Sequence, residues 1–235
     1  MVAWLLVFAR CAGFVFRAPG LSHPSIPMPL RAGFAAALAM AVAHSGVART
    51  QLHGVAALAA VAFEFLIGSA LGMAAALLYD AAYAGGRAVD DYVGVRAIAP
   101  SVALVAPSGF GRVWSLAFTG AFFLSGAYRI VLLNFAQSFA RIPSGAMVPA
   151  VQWAAFAASF LTSFVAVAAE IAAPAIGVAF MVQVAIGALA RVVPRFGSVT
   201  LAFPLAFAAA LIVTALTVPA IALRMRAPVA LDLVP

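Results

Sequence analysis

One stretch of the sequence constrains the fold more than any other. Between Pro149 and Ala190 the only charged side chain is Glu170. As one helix this stretch would be about 60 Å long, roughly twice the apolar thickness of a bilayer. Glu170 and Pro174 lie near its middle, and a proline interrupts the hydrogen-bond ladder of a helix. The pattern therefore predicts two membrane segments divided near Pro174, either a kinked pair or a hairpin.

The composition of the whole chain indicates the same class of protein. Of 235 residues, 67% are hydrophobic and 8% are charged, whereas soluble domains have about 25% charged residues. We expect one all-α, polytopic membrane domain over residues 1–235, a helical bundle of about six to seven hydrophobic segments with broken helices and one apolar irregular loop. The predicted segments are 2–16, 30–47, 55–79, 112–139, the two halves of 149–190, and 198–223.

The net charge of +7 does not indicate nucleic-acid binding. Every basic residue is an arginine, and the arginines stand singly between apolar runs, where they meet lipid headgroups or helix ends. The single cysteine, Cys11, excludes an internal disulfide and a multi-cysteine metal site. We expect membrane lipid to surround this chain, and we do not expect it to bind nucleic acid.

Two segments interrupt the apolar pattern. Residues 80–94 are too polar to span and suit an interfacial helix or loop, in which Asp90 and Asp91 would form a solvated helix face. The segment from Arg96 to Gly111 is apolar but contains two prolines and two glycines that disfavour a helix. Irregular apolar backbone is tolerated at membrane depth only when protein encloses it or it lines a cavity.

No enzyme signature is present. The sequence contains no HExxH, GxSxG or Walker A motif, and its three histidines lack metal-ligand spacing. We therefore predict no catalytic residues, no cofactor and no bound metal.

Two acids inside apolar runs, Glu64 and Glu170, require an explanation, because a charge at the bilayer centre costs a few kcal/mol. Either they form hydrogen bonds between helices or between subunits, or they relay protons or ions. Arg10 and Arg129 are the candidate partners, and the sequence does not assign the pairs. Beside Glu64, Gly68 and Gly72 stand one turn apart, a spacing that allows a second helix backbone to approach closely. We expect Glu64, Gly68, Gly72 and Glu170 to serve helix packing and assembly.

Several blocks, in order along almost the whole chain, resemble the FliR/SctT family (also called SpaR, YscT or HrcT). The blocks are 19–27 with its Ser-Ile-Pro, Glu64 to Gly72, 84–86, the loop centred on Pro107, Ser138 to Gly145, and 190–195 followed by 202–205. Members of this family are the R-type export-gate subunits of type III secretion systems. Flagellar members often carry Asn-Gly-His-His where this chain reads Leu124-Ser125-Gly126-Ala127-Tyr128, which favours an injectisome.

The resemblance implies a non-enzymatic subunit of an export gate in the bacterial inner membrane. It implies P-, Q- and U-type membrane subunits as partners and unfolded secreted proteins as substrates. The family's plug, a loop that closes the resting pore, should correspond to about residues 96–111. Its apolar side chains would exclude water and ions: Ile98, Val102, Leu104 and Phe110.

A different class of function remains open at this point. A small secondary transporter or ion channel would use Glu64 or Glu170 at a site near a broken helix in the middle of the membrane. Inverted internal repeats would favour that alternative, and none is convincing in this sequence.

Overall fold

The computed structural model describes residues 2–23, 26–43, 54–94, 109–193 and 199–224. The regular secondary structure in these ranges is helical throughout, which confirms the predicted fold class. The helices are α1 (Val2–Arg17), α2 (Met28–Ala43), α3 (Val55–Val93), α4 (Gly109–Leu124), α5 (Ala127–Arg141), α6 (Ala150–Val192) and α7 (Val199–Arg224).

Helix α3 is longer than predicted. We expected it to end at Tyr79, but it continues without interruption to Val93 and has 39 residues. The prediction used polarity to end the helix, yet polarity decides whether a segment suits the membrane core and not whether it is helical. Residues 80–93 are rich in alanine, the best helix former, and contain no proline.

Helix α6 is continuous, so of the two predicted alternatives at Pro174 the hairpin is wrong. Pro174 lies inside a helix of 43 residues, roughly 65 Å long. A proline removes one hydrogen bond, but a membrane helix accommodates this loss when neighbouring groups satisfy the freed carbonyl. The residues around Pro174 include no turn-forming pair that would end the helix.

The predicted helix over 112–139 is broken into α4 and α5. The break lies at Ser125 and Gly126, and Gly126 has a φ of +74°. That left-handed conformation is open to glycine and strained for residues with a Cβ atom, so this position interrupts the helix. Helix α4 also begins earlier than expected, at Gly109, so Gly109, Phe110 and Gly111 are helical and do not belong to an irregular loop.

Two of the described helices, α3 and α6, are long and apolar enough to cross a membrane, and α4 with α5 forms a third, broken candidate. Shorter apolar helices are found at 28–43 and 202–217. These lengths and compositions agree with a polytopic membrane protein.

The chain divides into two compact units. The first contains the described residues of 1–77 and 122–161. Its main core joins α1, α2 and α5, where the rings of Phe14 and Phe135 stack with centroids 4.2 Å apart. A second cluster in this unit surrounds Ile67 and includes Ile142, Val148 and Phe156.

The second unit contains the described residues of 78–121 and 162–227. One of its clusters joins the end of α3, the start of α4, α6 and α7 around Val89, Phe110 and Ala206. Another surrounds the fully buried Trp114. Two adjacent glycines of α3 allow close packing here: Gly85 approaches Ala168 of α6, and Gly86 approaches Gly111 of α4.

Helices α1 and α3 pack with their backbones in contact within the first unit. A Cβ atom on Gly68 would collide with the carbonyl of Arg10, and one on Gly72 would lie 2.7 Å from the carbonyl oxygen of Phe14. Gly13 of α1 faces the backbone of Phe65 in the same way. Small residues on both helices therefore permit the approach that a GxxxG spacing allows.

We predict that Gly68→Ala destabilises the protein by at least about 1–3 kcal/mol, the usual cost of overpacking, because the colliding atoms belong to backbone and cannot rotate away. The measurement is thermal stability in detergent together with the amount of protein retained in the membrane. Gly33→Ala in α2 is the matched control, since its Cβ atom meets nothing within 4 Å. Equal stability of the two variants would contradict the assigned packing.

Candidate functional site

The most deeply buried charges of the first unit form an ion pair between α1 and α3. The side chains of Arg10 and Glu64 are 0% and 1% exposed. The guanidinium Nε donates to Oε2 of Glu64, and Nη2 donates to Oε1 at 3.0 Å. Two parallel hydrogen bonds of this kind fix the orientation of both groups and are about twice as strong as neutral hydrogen bonds.

The remaining nitrogen of the Arg10 guanidinium binds the end of α5. Its Nη1 donates to the carbonyl oxygens of Ser138, at 3.2 Å, and Ile142, at 3.0 Å. The Ser138 carbonyl also accepts the backbone N–H of Ile142 at 2.8 Å. The last carbonyls of a helix carry its negative dipole end, so a cation is favoured there. The guanidinium carbon also lies 4.3 Å from the centre of the Phe139 ring.

Glu64 binds the turn that follows α5. Besides Arg10, its Oε1 accepts a hydrogen bond from the backbone N–H of Gly145 at 2.7 Å. Arg10, Glu64, Ser138, Ile142 and Gly145 thus connect α1, α3 and the segment from α5 to its following turn. We call these five residues the Arg10–Glu64 clamp.

The hydrogen bonds of the clamp explain how two charges remain at this depth. Removing an ion from water costs several kcal/mol, and attraction between the ions offsets this only when further hydrogen bonds satisfy them. The carboxylate here receives three donors, and the guanidinium reaches two carbonyls in addition to the carboxylate. Proton transfer through Glu64 would require breaking these bonds, so the geometry favours a structural role.

Sequence reasoning identified both charged residues but not their partners. The backbone groups of Ser138, Ile142 and Gly145 complete the clamp, and backbone groups leave no side-chain signature. The one available sequence signal is that the blocks from Glu64 to Gly72 and from Ser138 to Gly145 both carry the family resemblance, and the structure brings these two blocks together.

The other two candidate charges lie outside the clamp. Glu170 is exposed on α6. Arg129 is exposed on α5, where its Nε donates to the hydroxyl of Tyr128 at 3.2 Å. Of the pairings that the sequence left open, the structure shows Arg10 with Glu64. Within the described ranges, no group of histidine, cysteine and acidic residues has the arrangement of a metal site.

Asp90 differs from the solvated acid that we predicted. Its side chain is 1% exposed within the second unit, whereas Asp91 is exposed. The Asp90 carboxylate accepts hydrogen bonds from the backbone N–H groups of Phe110, at 3.2 Å, and Gly111, at 3.4 Å. The first N–H groups of a helix lack partners and favour a negative charge by about 0.3–1 kcal/mol or more. Asp90 therefore caps the start of α4 from another helix.

The residues predicted to form a plug fall into two groups. Ile98, Val102 and Leu104 lie outside the described residues. Phe110 is buried in the first turn of α4, where its ring contacts Phe207 with centroids 5.3 Å apart. Phe110 therefore belongs to the helical core of the second unit in this structure.

A double-mutant cycle tests the clamp. Arg10→Met or Glu64→Leu alone should destabilise the protein by about 3–5 kcal/mol, because each leaves an uncompensated buried charge. The double variant should lose clearly less stability than the sum of the losses of the two single variants, with a coupling energy of at least about 1.5 kcal/mol. The measurement is the free energy of unfolding in detergent, and Arg129→Met, at an exposed arginine of the same unit, serves as the control for loss of a charge. Additive costs would contradict direct pairing.

Comparison with known proteins matches nearly the full length of the chain. A family model described as bacterial export proteins, family 1, matches residues 1–230. The chain is also 28% identical over 218 residues to the flagellar biosynthetic protein FliR of Bacillus subtilis (strain 168), an alignment that covers 89% of this chain and 83% of that relative. The matched range includes the Arg10–Glu64 clamp and Asp90.

Proposed function

Since this chain belongs to the bacterial export proteins of family 1, the FliR/SctT family, we propose that it helps to form the pore of a type III export gate. Family membership and the apolar helices identify an inner-membrane subunit of a protein-export apparatus. Our proposal adds that unfolded substrates cross the membrane beside this chain. It treats residues 1–235 as one export-apparatus domain, which a family match over residues 1–230 supports.

The observation that most supports a structural role in the pore is the Arg10–Glu64 clamp. The two fully buried charges of this clamp, Arg10 and Glu64, are engaged in holding helices together. The chain works without catalysis in this proposal, and energy is supplied by other proteins of the apparatus. A secondary transporter that uses Glu64 would need that carboxylate to be available to an ion, and its oxygens already accept three hydrogen bonds.

Exposed apolar side chains support assembly with other membrane subunits. Large hydrophobic residues project outward along both halves of α6, including Val151, Leu161, Val165, Phe180 and Met181. Such surfaces meet lipid or other helices. We assign them to lipid and to the P-, Q- and U-type subunits of the export gate.

The segment between α3 and α4 is our candidate for closing the pore. The proposal rests on its composition, in which Ile98, Val102 and Leu104 occur among residues that disfavour a helix. Apolar side chains in a narrow pore exclude water and ions by dewetting and need no charge to do so. The helices on either side of the segment are joined to each other, since Asp90 of α3 accepts hydrogen bonds from the N–H groups of Phe110 and Gly111 of α4.

We assign the chain to an injectisome because Leu124-Ser125-Gly126-Ala127-Tyr128 replaces the Asn-Gly-His-His block of many flagellar members. Gly126 of this block lies at the break that separates α4 from α5. The compared relative is named as a flagellar protein, and that name applies to the relative alone. The assignment of this chain to an injectisome rests on the sequence at the break between α4 and α5.

Deletion of residues 98–104 tests the proposed closure. In cells that contain the complete export complex, the deletion should raise potassium efflux several-fold, because the apolar barrier is shortened. Efflux is measured on strains matched for the amount of assembled complex. The matched control removes the chain entirely, which should abolish the leak along with the complex.

An assembled deletion complex with wild-type efflux would leave residues 98–104 without a role in closure. The strain without this chain also tests whether the chain belongs to an injectisome or to a flagellum. Without this chain, secretion by the injectisome should stop while motility continues, and loss of motility would place the chain in a flagellum.

A further inference from the structure

We propose that the Arg10–Glu64 clamp holds a buried water molecule and that the hydroxyl of Ser144 completes its binding site. This inference concerns described residues of the first unit alone and does not depend on the proposed function. Ser144 lies in the turn after α5, between Ile142 and Gly145, whose backbone groups both belong to the clamp.

The hydroxyl of Ser144 is buried without a hydrogen-bond partner among the described residues. The residue is 7% exposed, and its Oγ makes no hydrogen bond there. Burial of a hydroxyl without a hydrogen bond is costly, and most buried polar side-chain atoms in folded proteins bind either protein or ordered water. An alanine would avoid this cost, so the serine indicates that something binds its hydroxyl.

The ion pair has two hydrogen-bonding positions to spare. A guanidinium has five N–H groups, and Arg10 uses one from Nε, two from Nη1 and one from Nη2. One N–H of Nη2 is therefore left over within the described part of the chain. A carboxylate has about four acceptor positions, and Glu64 uses three of them.

These groups meet at one atom, Oε1 of Glu64. Nη2 of Arg10 lies 3.0 Å from this oxygen, and the N–H of Gly145, which is covalently bonded to Ser144, donates to it at 2.7 Å. The turn 143–146 fixes the arrangement, because a backbone hydrogen bond of 3.0 Å closes it and its third residue, Gly145, has a φ of +88°. Glycine adopts the positive φ that such a turn requires without strain.

The chemistry of the three groups suits water and does not suit an ion. Arg10 and Glu64 neutralise each other, so a further ion of either sign would be an uncompensated charge at this depth. One N–H donor, one carboxylate acceptor and one hydroxyl that can donate or accept match the donors and acceptors of a water molecule. Buried waters make about three hydrogen bonds each. The water would thus join the turn to the ion pair beside the direct bond from Gly145.

Ser144→Ala tests the site through the sign of its effect on stability. If a water binds the hydroxyl, alanine removes one of its partners, and the unfolding equilibrium in detergent should shift about fivefold towards the unfolded state. If nothing binds the hydroxyl, alanine removes a costly buried group, and the variant should be at least as stable as the wild type. Ser159→Ala is the matched control. Its hydroxyl bonds the Phe156 carbonyl within its own helix at 3.0 Å, and its loss should change the equilibrium by less than about twofold.

The variant that carries both Arg10→Met and Glu64→Leu tests whether Ser144 acts through the ion pair. In that background the water loses its charged partners, so Ser144→Ala should no longer shift the equilibrium towards the unfolded state. An equal shift in both backgrounds would confine Ser144 to its own turn and overturn the inference. A Ser144→Ala variant as stable as the wild type, or more stable, would overturn it as well.

A density map of the full chain that resolves ordered water tests the site without any substitution. We expect a water peak at about 2.5–3.2 Å from both Oγ of Ser144 and Nη2 of Arg10. A direct hydrogen bond from Ser144 to the protein, or an empty space at this position, would contradict the proposed site.

Discussion

The ion pair between Arg10 and Glu64 is the interaction on which the first unit depends. A membrane helix gains little from burying apolar side chains, because lipid is as apolar as protein. Hydrogen bonds between charged groups and backbone atoms are specific in these surroundings, and the clamp uses them to join three segments of the chain. Its strength depends on complete satisfaction, since each partner that is lost leaves a charge buried without compensation.

The close approach of α1 and α3 makes this pairing geometrically accessible. Gly68 stands one turn after Glu64, and its missing side chain lets the backbone of Arg10 approach. Close backbone packing and the ion pair are therefore two parts of one arrangement. The second unit repeats the principle with other residues, because Gly86 permits backbone contact one turn before Asp90 caps α4.

The sequence predicted the all-α membrane fold, because composition and apolar periodicity determine where helices form. It predicts helix ends less well, at Tyr79 and Arg112, because polarity and helix-disfavouring residues are weaker signals than the continuity of the backbone ladder, and the same continuity rules out a hairpin at Pro174. The site was predicted in part. Glu64 and Arg10 were recognised as charges that need partners, but the carbonyls and N–H groups around them could not be identified from side-chain types. Asp90 was interpreted as solvated because a cap from a distant helix has no local sequence signal.

A direct measurement of the central claim is the amount of secreted substrate per assembled complex in the Glu64→Gln variant. Glutamine keeps the shape of glutamate but cannot ionise, so the Arg10 charge loses its counterion while most hydrogen bonds remain. If Glu64 is structural, secretion and assembled complex should fall together and their ratio should equal that of the wild type. A normal amount of complex that secretes nothing would contradict this account and would make Glu64 a proton relay.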